Sequence, residues 1–322
     1  MNKCILILMF FSFLTPVDVL AKIRLLTFHC NKPQFLELQC ATFSKFLEDE
    51  YELIVINDAK TPALEKKIKS VCDSHGIQCV RYEPEWHAKA PLTSRILDWL
   101  HNPRVYSLHY FYEKTKDCIA DQPSVRHSHV IQYALERFGY DHDDIIALVD
   151  GDVFPIRSMN IRQLLKDRDI VAVQKRLPND PEDPLTKAQI DYLWVTFAAF
   201  DPRKIPSPRE LQFQVDVIDG VIHDTGSASY HYLVSHPNLR VDLHPRYVSN
   251  ALAKFMVPEL LEKGFSSQEI QFIKTLPSRH FVEFYINHCL LHFANSCWDH
   301  EGYQEKTWYV NNFIDQLLEE EF

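Results

Sequence analysis

Two aspartates one residue apart are the residues of this chain whose spacing most directly indicates chemistry. Asp150 and Asp152 follow an apolar run at 145–149, and Gly151 separates them. In an extended chain, residues two apart point the same way, so both carboxylates can face one ligand. The glycine would let that ligand approach the backbone closely. Carboxylate oxygens on a rigid strand end suit Mg²⁺ or Mn²⁺, with phosphate groups completing the coordination.

The same three residues also have a structural interpretation. An Asp-Gly pair between two apolar runs is a strong signal for a hairpin turn, and here the runs lie at 145–149 and 153–156. A solvated turn needs no metal ion. The spacing of the acids therefore leaves a turn and a cation site equally open.

The neighbouring segments indicate how a fold would position the two acids. Five apolar residues without a charge are typical of a strand buried on both faces of an α/β sheet. Towards the N-terminus, strand and helix patterns alternate at about 23–28, 33–47, 52–56, 62–75 and 78–82. This order predicts right-handed crossovers and a mostly parallel central sheet flanked by helices. Ligands of such sheets bind at the carboxyl ends of the strands.

The centre of the chain resembles a GT-A glycosyltransferase. The run Arg-His-Ser-His-Val-Ile-Gln-Tyr-Ala-Leu at 126–135 precedes Asp-Ile-Ile-Ala-Leu-Val-Asp-Gly-Asp-Val-Phe-Pro at 144–155. In that superfamily a helix leads to a buried strand that ends in an Asp-X-Asp motif, which holds a divalent cation against the diphosphate of a nucleotide-sugar donor. The resemblance implies a Rossmann-like GT-A domain over 22–322. Its donor half would be at about 22–156, and a smaller acceptor side with C-terminal helices at about 157–322.

The resemblance also implies roles at the ends of earlier elements. Asn57 and Asp58 fall where GT-A enzymes contact the nucleoside, and Arg126 would point to the donor phosphates or ribose. Each has a plainer explanation. Asn-Asp is good chemistry for an Asx turn, and an arginine at the start of a helix at 123–138 commonly faces solvent. The residues alone leave both interpretations open.

A histidine near the C-terminus would complete the metal site. An apolar segment contains His292 near its end, and Ser296 and Trp298 follow. The segment is similar to one in several GT-A families, where a histidine ligates the metal and nearby donors hold the diphosphate. The resemblance thus implies His292 as a ligand beside Asp150 and Asp152, with Ser296 and Trp298 at the diphosphate. An imidazole ligand would favour Mn²⁺ over Mg²⁺. The alternative is a structural histidine at the end of an apolar strand.

The stretch at 216–227 brings three acids and a histidine together. In GT-A enzymes this part of the chain builds the acceptor side, which implies Asp219 or Asp224 as a catalytic residue. If the reaction inverts the anomeric carbon, one of them would take the proton of the acceptor hydroxyl. A retaining reaction requires no such base. Alternatively, Asp224 caps a helix that runs to about 234.

The predicted activity is that of a metal-dependent glycosyltransferase. It would move a sugar from a nucleotide-diphosphate donor, of the UDP-linked type, to a glycan, lipid or protein hydroxyl, with Mn²⁺ or Mg²⁺ as cofactor. A nucleotidyltransferase would show a glycine-rich loop after the first strand, and residues 29–36 contain no glycine. A secreted carbohydrate-binding or effector protein without turnover is the alternative from another class, and export favours it.

The composition and the N-terminal residues indicate which partners are disfavoured and which cellular compartment the protein enters. The chain has 322 residues, 46% of them hydrophobic, and a net charge of −10. That charge speaks against nucleic acid or an anionic membrane as a partner. Residues 1–21 have a basic start, an apolar run and a small-residue end, which predict a secretory signal. The protein would enter the secretory pathway or be exported, to a lumen or a host cell. Only an uncleaved N-terminal segment would attach it to a membrane.

Overall fold

The computed structural model describes five stretches of the chain, at 22–82, 123–175, 191–219, 221–294 and 302–320. The predicted signal at 1–21 lies outside these ranges, as do Ser296 and Trp298.

The described residues form strands and helices in alternation. The strands are β1 Ile23–His29, β2 Tyr51–Asn57, β3 Gln78–Arg81, β4 Ile146–Asp150, β5 Val153–Pro155, β6 Ile170–Gln174, β7 Leu193–Phe200, β8 Val217–Ile218, β9 Val221–Ile222, β10 Val241–His244, β11 Tyr247–Val248, β12 Glu283–Tyr285 and β13 Leu290–His292. The α-helices are α1 Pro33–Phe46, α2 Pro62–His75, α3 Pro123–Ala134, α4 Ile161–Leu164, α5 Ser229–Ser235, α6 Ser249–Leu252, α7 Val257–Glu262, α8 Ser267–Thr275 and α9 Tyr303–Glu319.

Seven strands form a central sheet in the order β10-β6-β7-β4-β1-β2-β3. All of them run in one direction except β7, which pairs antiparallel with β4 and β6. Every residue of β7 and almost every residue of β1 is buried, as expected for a sheet covered on both faces. The predicted α/β class with a mostly parallel central sheet is confirmed. The reversed direction of β7 was not part of that prediction.

The carboxyl ends of β2, β1 and β4 lie side by side at one edge of this sheet. His29 pairs with Asn57, and Phe28 pairs with Asp150. Because parallel strands present the same end to the same edge, the polar residues that follow them share one crevice. Asp150, Gly151 and Asp152, called the acidic segment below, therefore lie where a sheet of this order binds its ligands.

A second sheet of four short antiparallel strands, β11-β12-β13-β5, joins the C-terminal third to the acidic segment. β5 begins directly after Asp152 and pairs with β13, so His292 lies opposite Val153. Phe154 of β5 and Phe284 of β12 belong to one buried apolar cluster, which holds the two segments together. This small sheet brings the predicted third ligand to the two acids.

The helices differ from the predicted ones mainly at their ends. The predicted C-terminal helices include two short and separate ones, α6 and α7, and Pro258 lies in the first turn of α7. Proline is tolerated there because that turn needs no amide donor, whereas inside a longer helix it would break the hydrogen-bond ladder. Among the described helices, none has the length and apolar character required to cross a bilayer.

Candidate metal centre

Three predicted metal ligands meet at the edge of the central sheet. Asp150, Asp152 and His292 each offer one ligand atom, and these atoms lie within 4.8 Å of one another. Asp150 ends β4, and the backbone amide of Phe293 donates to the carbonyl oxygen of Asp152 at 2.9 Å. The three side chains are therefore positioned by two sheets that meet at this point. Two carboxylates and an imidazole are a donor set that suits Mn²⁺.

Gly151 is required for a reason other than the predicted one. A Cβ atom at this position would lie 2.2 Å from the carbonyl oxygen of Phe28 and 3.1 Å from the ring of His29. The absence of a side chain at Gly151 therefore makes room for the adjacent strand β1. It does not make room for a ligand. Because β4 and β5 belong to different sheets, the Asp-Gly pair is also not a hairpin turn.

His292 lies between two buried carboxylates. Its Nε2 is 3.3 Å from Oδ1 of Asp152, and its Nδ1 is 2.9 Å from Oε2 of Glu283 and 2.7 Å from the hydroxyl of Tyr285. Burial by itself lowers the pKa of His292, but Asp152 and Glu283 outweigh it and raise that pKa to about 10. Without a metal ion, the protonated imidazole supplies the positive charge that the carboxylates need. A divalent cation would supply it in the same place.

Asp150 has a second histidine beside it, on α3. Nε2 of His127 lies 2.6 Å from Oδ1 of Asp150. Burial opposes protonation of His127, but the charge of Asp150 raises its pKa above the ordinary value. The sequence places His127 only near the start of a helix. Its contact with Asp150 could not be predicted, because it depends on how α3 packs against the sheet.

The predicted nucleoside contacts lie close by. The Arg126 guanidinium pairs with both carboxylate oxygens of Asp58, with Nε 2.8 Å from Oδ2. Asn57 accepts a hydrogen bond from the Ala59 amide at 3.2 Å, which is an Asx turn. Since Arg126 and His127 are neighbours on α3, the start of this helix contacts both the end of β2 and the end of β4. The roles of Asn57, Asp58 and Arg126 towards a donor remain predictions.

The two acids predicted on the acceptor side, Asp224 and Asp219, differ from each other in burial and in partners. The carboxylate of Asp224 accepts from the Lys175 ammonium at 2.7 Å and from the Thr225 amide at 2.8 Å. It is not the N-cap of α5, which begins at Ser229. Burial would raise the pKa of Asp224, but Lys175 lowers it to about 2. Asp219 is exposed and has a φ of 51° at the turn between β8 and β9.

Lys175 also connects Asp224 to the surroundings of His292. Its ammonium lies 3.9 Å from the centre of the Trp194 ring, and that ring is edge-on to His292 with centroids 5.8 Å apart. Trp194 is in β7, whose reversed direction brings its first residues to the ligand edge of the sheet. Asp224 is thus separated from the metal centre by two side chains.

A buried lysine that the sequence pattern does not reveal fixes the end of β13. Lys306 of α9 is only 2% exposed, and its ammonium donates to the carbonyl oxygens of Phe293 and Ala294, the latter at 2.9 Å. Burial lowers the pKa of Lys306 to about 8. A lysine in an amphipathic helix is ordinarily a surface residue, so only the packing of α9 reveals its contact.

No family model matches this sequence, and no curated protein matches it. Among solved structures, it is similar over 90% of its length to the galactosyltransferase LgtC in complex with donor and acceptor sugar analogues, with 12% identity, 96% of that chain covered and a TM-score of 0.44. It is similar over 70% of its length to the mannosyltransferase PcManGT from Pyrobaculum calidifontis in complex with GDP-Man and Mn²⁺, with 13% identity and a TM-score of 0.37. It spans about half of that second chain, 55%.

A third similar structure is core-mannan synthase A from Aspergillus fumigatus in a Mn/GDP form, with 13% identity, 57% of this chain and 60% of that chain covered, and a TM-score of 0.33. The first two of these proteins are sugar transferases, and the third is a mannan synthase. The α/β class of the present chain follows from its strand order, and its candidate site follows from its own contacts.

Proposed function

We propose that this chain is a metal-dependent glycosyltransferase that uses a nucleotide-diphosphate sugar, of the UDP-linked type, as donor. The observation that carries the proposal is the convergence of Asp150, Asp152 and His292 within 4.8 Å at the carboxyl edge of a mostly parallel sheet. Ligand sites of such sheets lie at this edge. The acceptor would be a hydroxyl of a glycan, a lipid or a protein.

These three side chains would hold Mn²⁺ or Mg²⁺. A bound cation would stabilise the negative charge that develops on the leaving diphosphate. The protein keeps the ligand atoms in place through backbone contacts, because the Phe293 amide binds the carbonyl of Asp152 and Lys306 binds the carbonyl of Phe293. Such fixed geometry stabilises the charge that forms during reaction better than bulk water does.

The remaining predicted residues would orient the two substrates. Asn57, Asp58 and Arg126 would contact the nucleoside, ribose or phosphates, and Arg126 holds the Asp58 carboxylate in one orientation. Asp224 would accept the acceptor proton in an inverting reaction, with Asp219 as the second candidate. The low pKa of Asp224 keeps it ionised, but an acid of pKa about 2 is a weak base while Lys175 neutralises it.

The compartment belongs to the same proposal. Residues 1–21 would direct the protein into the secretory pathway, and sugar nucleotides are found in an ER/Golgi-type lumen or inside a host cell rather than free outside cells. A location of either kind would give the enzyme its donor. An uncleaved N-terminal segment would attach it to the membrane of that compartment.

Donor hydrolysis by the purified protein tests the proposal. A thermal-shift screen of nucleotide sugars with and without Mn²⁺ identifies the donor, since ligand binding raises the apparent stability of the native state. Release of nucleoside diphosphate is then measured for the unmodified protein and for Asp152→Asn. The matched control is Asp144→Asn, a buried aspartate that pairs with Arg162 at the opposite end of β4.

We expect hydrolysis that depends on Mn²⁺, is lost in Asp152→Asn and persists in Asp144→Asn. Donor binding without any turnover would favour a carbohydrate-binding or effector protein instead. Absence of nucleotide binding with and without Mn²⁺ would end the proposal.

A further inference from the structure

A buried glutamate lies behind the metal-facing histidine. Glu283 begins β12 and His292 ends β13, and the two residues are directly paired across these antiparallel strands. Glu283 is 4% exposed and His292 is 6% exposed. A charged side chain at such a position needs partners for each of its oxygens, because an unpaired buried carboxylate is costly.

Both oxygens of Glu283 have donors. Oε2 lies 2.9 Å from Nδ1 of His292 and accepts the hydroxyl of Tyr285. Oε1 lies 3.2 Å from a guanidinium nitrogen of Arg246, whose side chain is also buried. The Arg246 guanidinium lies over the Trp194 ring, 4.9 Å from its centre. Arg246 and Tyr285 therefore hold the Glu283 carboxylate from two sides in the orientation that faces His292.

This orientation determines which nitrogen of His292 faces the two aspartates. Nδ1 faces the Glu283 carboxylate at 2.9 Å and the Tyr285 hydroxyl at 2.7 Å. Because the Tyr285 hydroxyl donates its own hydrogen to Glu283, both neighbours act as acceptors and Nδ1 carries a ring hydrogen. Nε2 is on the opposite side of the ring, 3.3 Å from Asp152. A metal ligand must present a lone pair and not a hydrogen, and a carboxylate behind the histidine fixes the required tautomer.

We propose that Glu283 is the positioning residue of the metal centre, holding His292 with Nε2 directed to the cation, and that Arg246 holds Glu283 in turn. The proposal rests on the proposed metal-dependent function. It adds a residue that touches neither donor nor cation but determines metal affinity and metal preference. The two aspartates alone would bind Mg²⁺ and Mn²⁺ similarly, whereas an oriented imidazole favours Mn²⁺.

Metal binding without nucleotide tests this role. Mn²⁺ and Mg²⁺ affinities are measured by calorimetric titration of the unmodified protein and of Glu283→Gln. The amide that this substitution introduces lacks the charge that keeps the hydrogen on Nδ1, so we expect Mn²⁺ affinity to fall about 10- to 100-fold. Mg²⁺ affinity should fall less, because carboxylates remain its main ligands. The ratio of the two affinities is the readout that a general loss of stability would not change.

The matched control is Glu269→Gln. Glu269 is likewise buried and pairs with an arginine, Arg157, but its carboxylate also accepts from the Ser266 amide at a helix start and not from a metal-facing side chain. Its loss should lower stability and leave both metal affinities unchanged. Tyr285→Phe removes the other neighbour of Nδ1 while keeping the carboxylate, and should retain Mn²⁺ affinity within a few fold.

Folded Glu283→Gln protein with unchanged Mn²⁺ affinity would overturn the inference. If that variant does not fold, Glu283→Asp keeps the charge but withdraws the oxygen from Nδ1, and it should show the same selective loss. If the unmodified protein turns over the donor and the Glu283→Gln variant binds Mn²⁺ as tightly as it does, the role of Glu283 is rejected and the proposed function stands. Failure of the unmodified protein to bind Mn²⁺ would reject the proposed function as well.

Discussion

The side-chain amide of Gln39 donates to the carbonyl oxygen of Asp150 at 2.6 Å and to that of Val153 at 2.9 Å. Gln39 lies on α1, completely buried, and so one helix side chain binds the backbone on both sides of the acidic segment. The side-chain oxygen of Gln39, Oε1, accepts a hydrogen bond from the Thr27 hydroxyl at 2.9 Å. This glutamine holds the turn that gives the two aspartates their common direction.

Gln39→Met should therefore destabilise the fold. The substitution keeps the approximate shape of the side chain but leaves two backbone carbonyls without their donor, each at a cost of about 1–3 kcal/mol. We expect the free energy of unfolding, from urea denaturation, to fall by roughly 2–4 kcal/mol. Exposed Gln163→Met on α4 is the control, with a change within about 0.5 kcal/mol. Equal stability of the two variants would contradict the role of Gln39.

Mn²⁺ should stabilise the folded protein through the triad of Asp150, Asp152 and His292. At a concentration about 100 times its dissociation constant, a ligand specific for the native state adds about 2.7 kcal/mol to the free energy of unfolding. We expect thermal unfolding to move upwards with Mn²⁺ and to return with a chelator. The shift should vanish in His292→Ala and persist in His280→Ala, which removes a buried histidine that pairs with Glu305. An equal shift in both variants would place the metal elsewhere.

Much of the central sheet could be predicted from the sequence. The boundaries of β1, β2 and β4 agree with the predicted strands within one or two residues, because strands buried on both faces are continuous apolar runs. The direction of β7 could not be predicted, since an apolar run carries no information on whether the next strand pairs parallel or antiparallel. The three candidate metal ligands were proposed by resemblance, and the structure brings them together. The β5–β13 pairing that unites them was not predicted.

The supporting residues were missed for a common physical reason. Gln39 and Glu283 are single polar residues inside apolar patterns, and a pattern cannot tell a buried polar group with partners from an exposed one. The one available signal was at Gln39, because it falls on the apolar side of the helix that Phe35, Leu36 and Phe43 define. The function of Gly151 was also misjudged, since the atom it avoids belongs to a strand distant in sequence.

Asp224→Asn should separate acceptor chemistry from donor activation. If Asp224 takes the proton of the acceptor hydroxyl, its loss lowers sugar transfer by about 10²-fold or more and leaves metal-dependent donor hydrolysis much less affected. Both products are quantified in the same assay by chromatography. Asp219→Asn is the comparison, because the same role is predicted for it but it is exposed. Unchanged transfer in both variants would indicate that the reaction proceeds without either carboxylate, as a retaining mechanism allows.

His29 should make stability depend on pH in the acid range. It is 3% exposed, and burial lowers its pKa from 6.5 to about 4 despite a hydrogen bond with Gln39. Between these values the unfolded chain binds a proton that the folded chain does not, so stability rises with pH across this window. The contribution is fully present above pH 6.5 and is lost as the pH falls to 4, at most about 3 kcal/mol.

Urea denaturation without metal between about pH 4 and 8 measures this dependence, and the rise should be shallower for His29→Asn than for the unmodified protein. His75→Gln, at an exposed position, controls for the loss of an imidazole. Parallel curves for His29→Asn and the unmodified protein would mean that this histidine is protonated equally in the folded and unfolded chains.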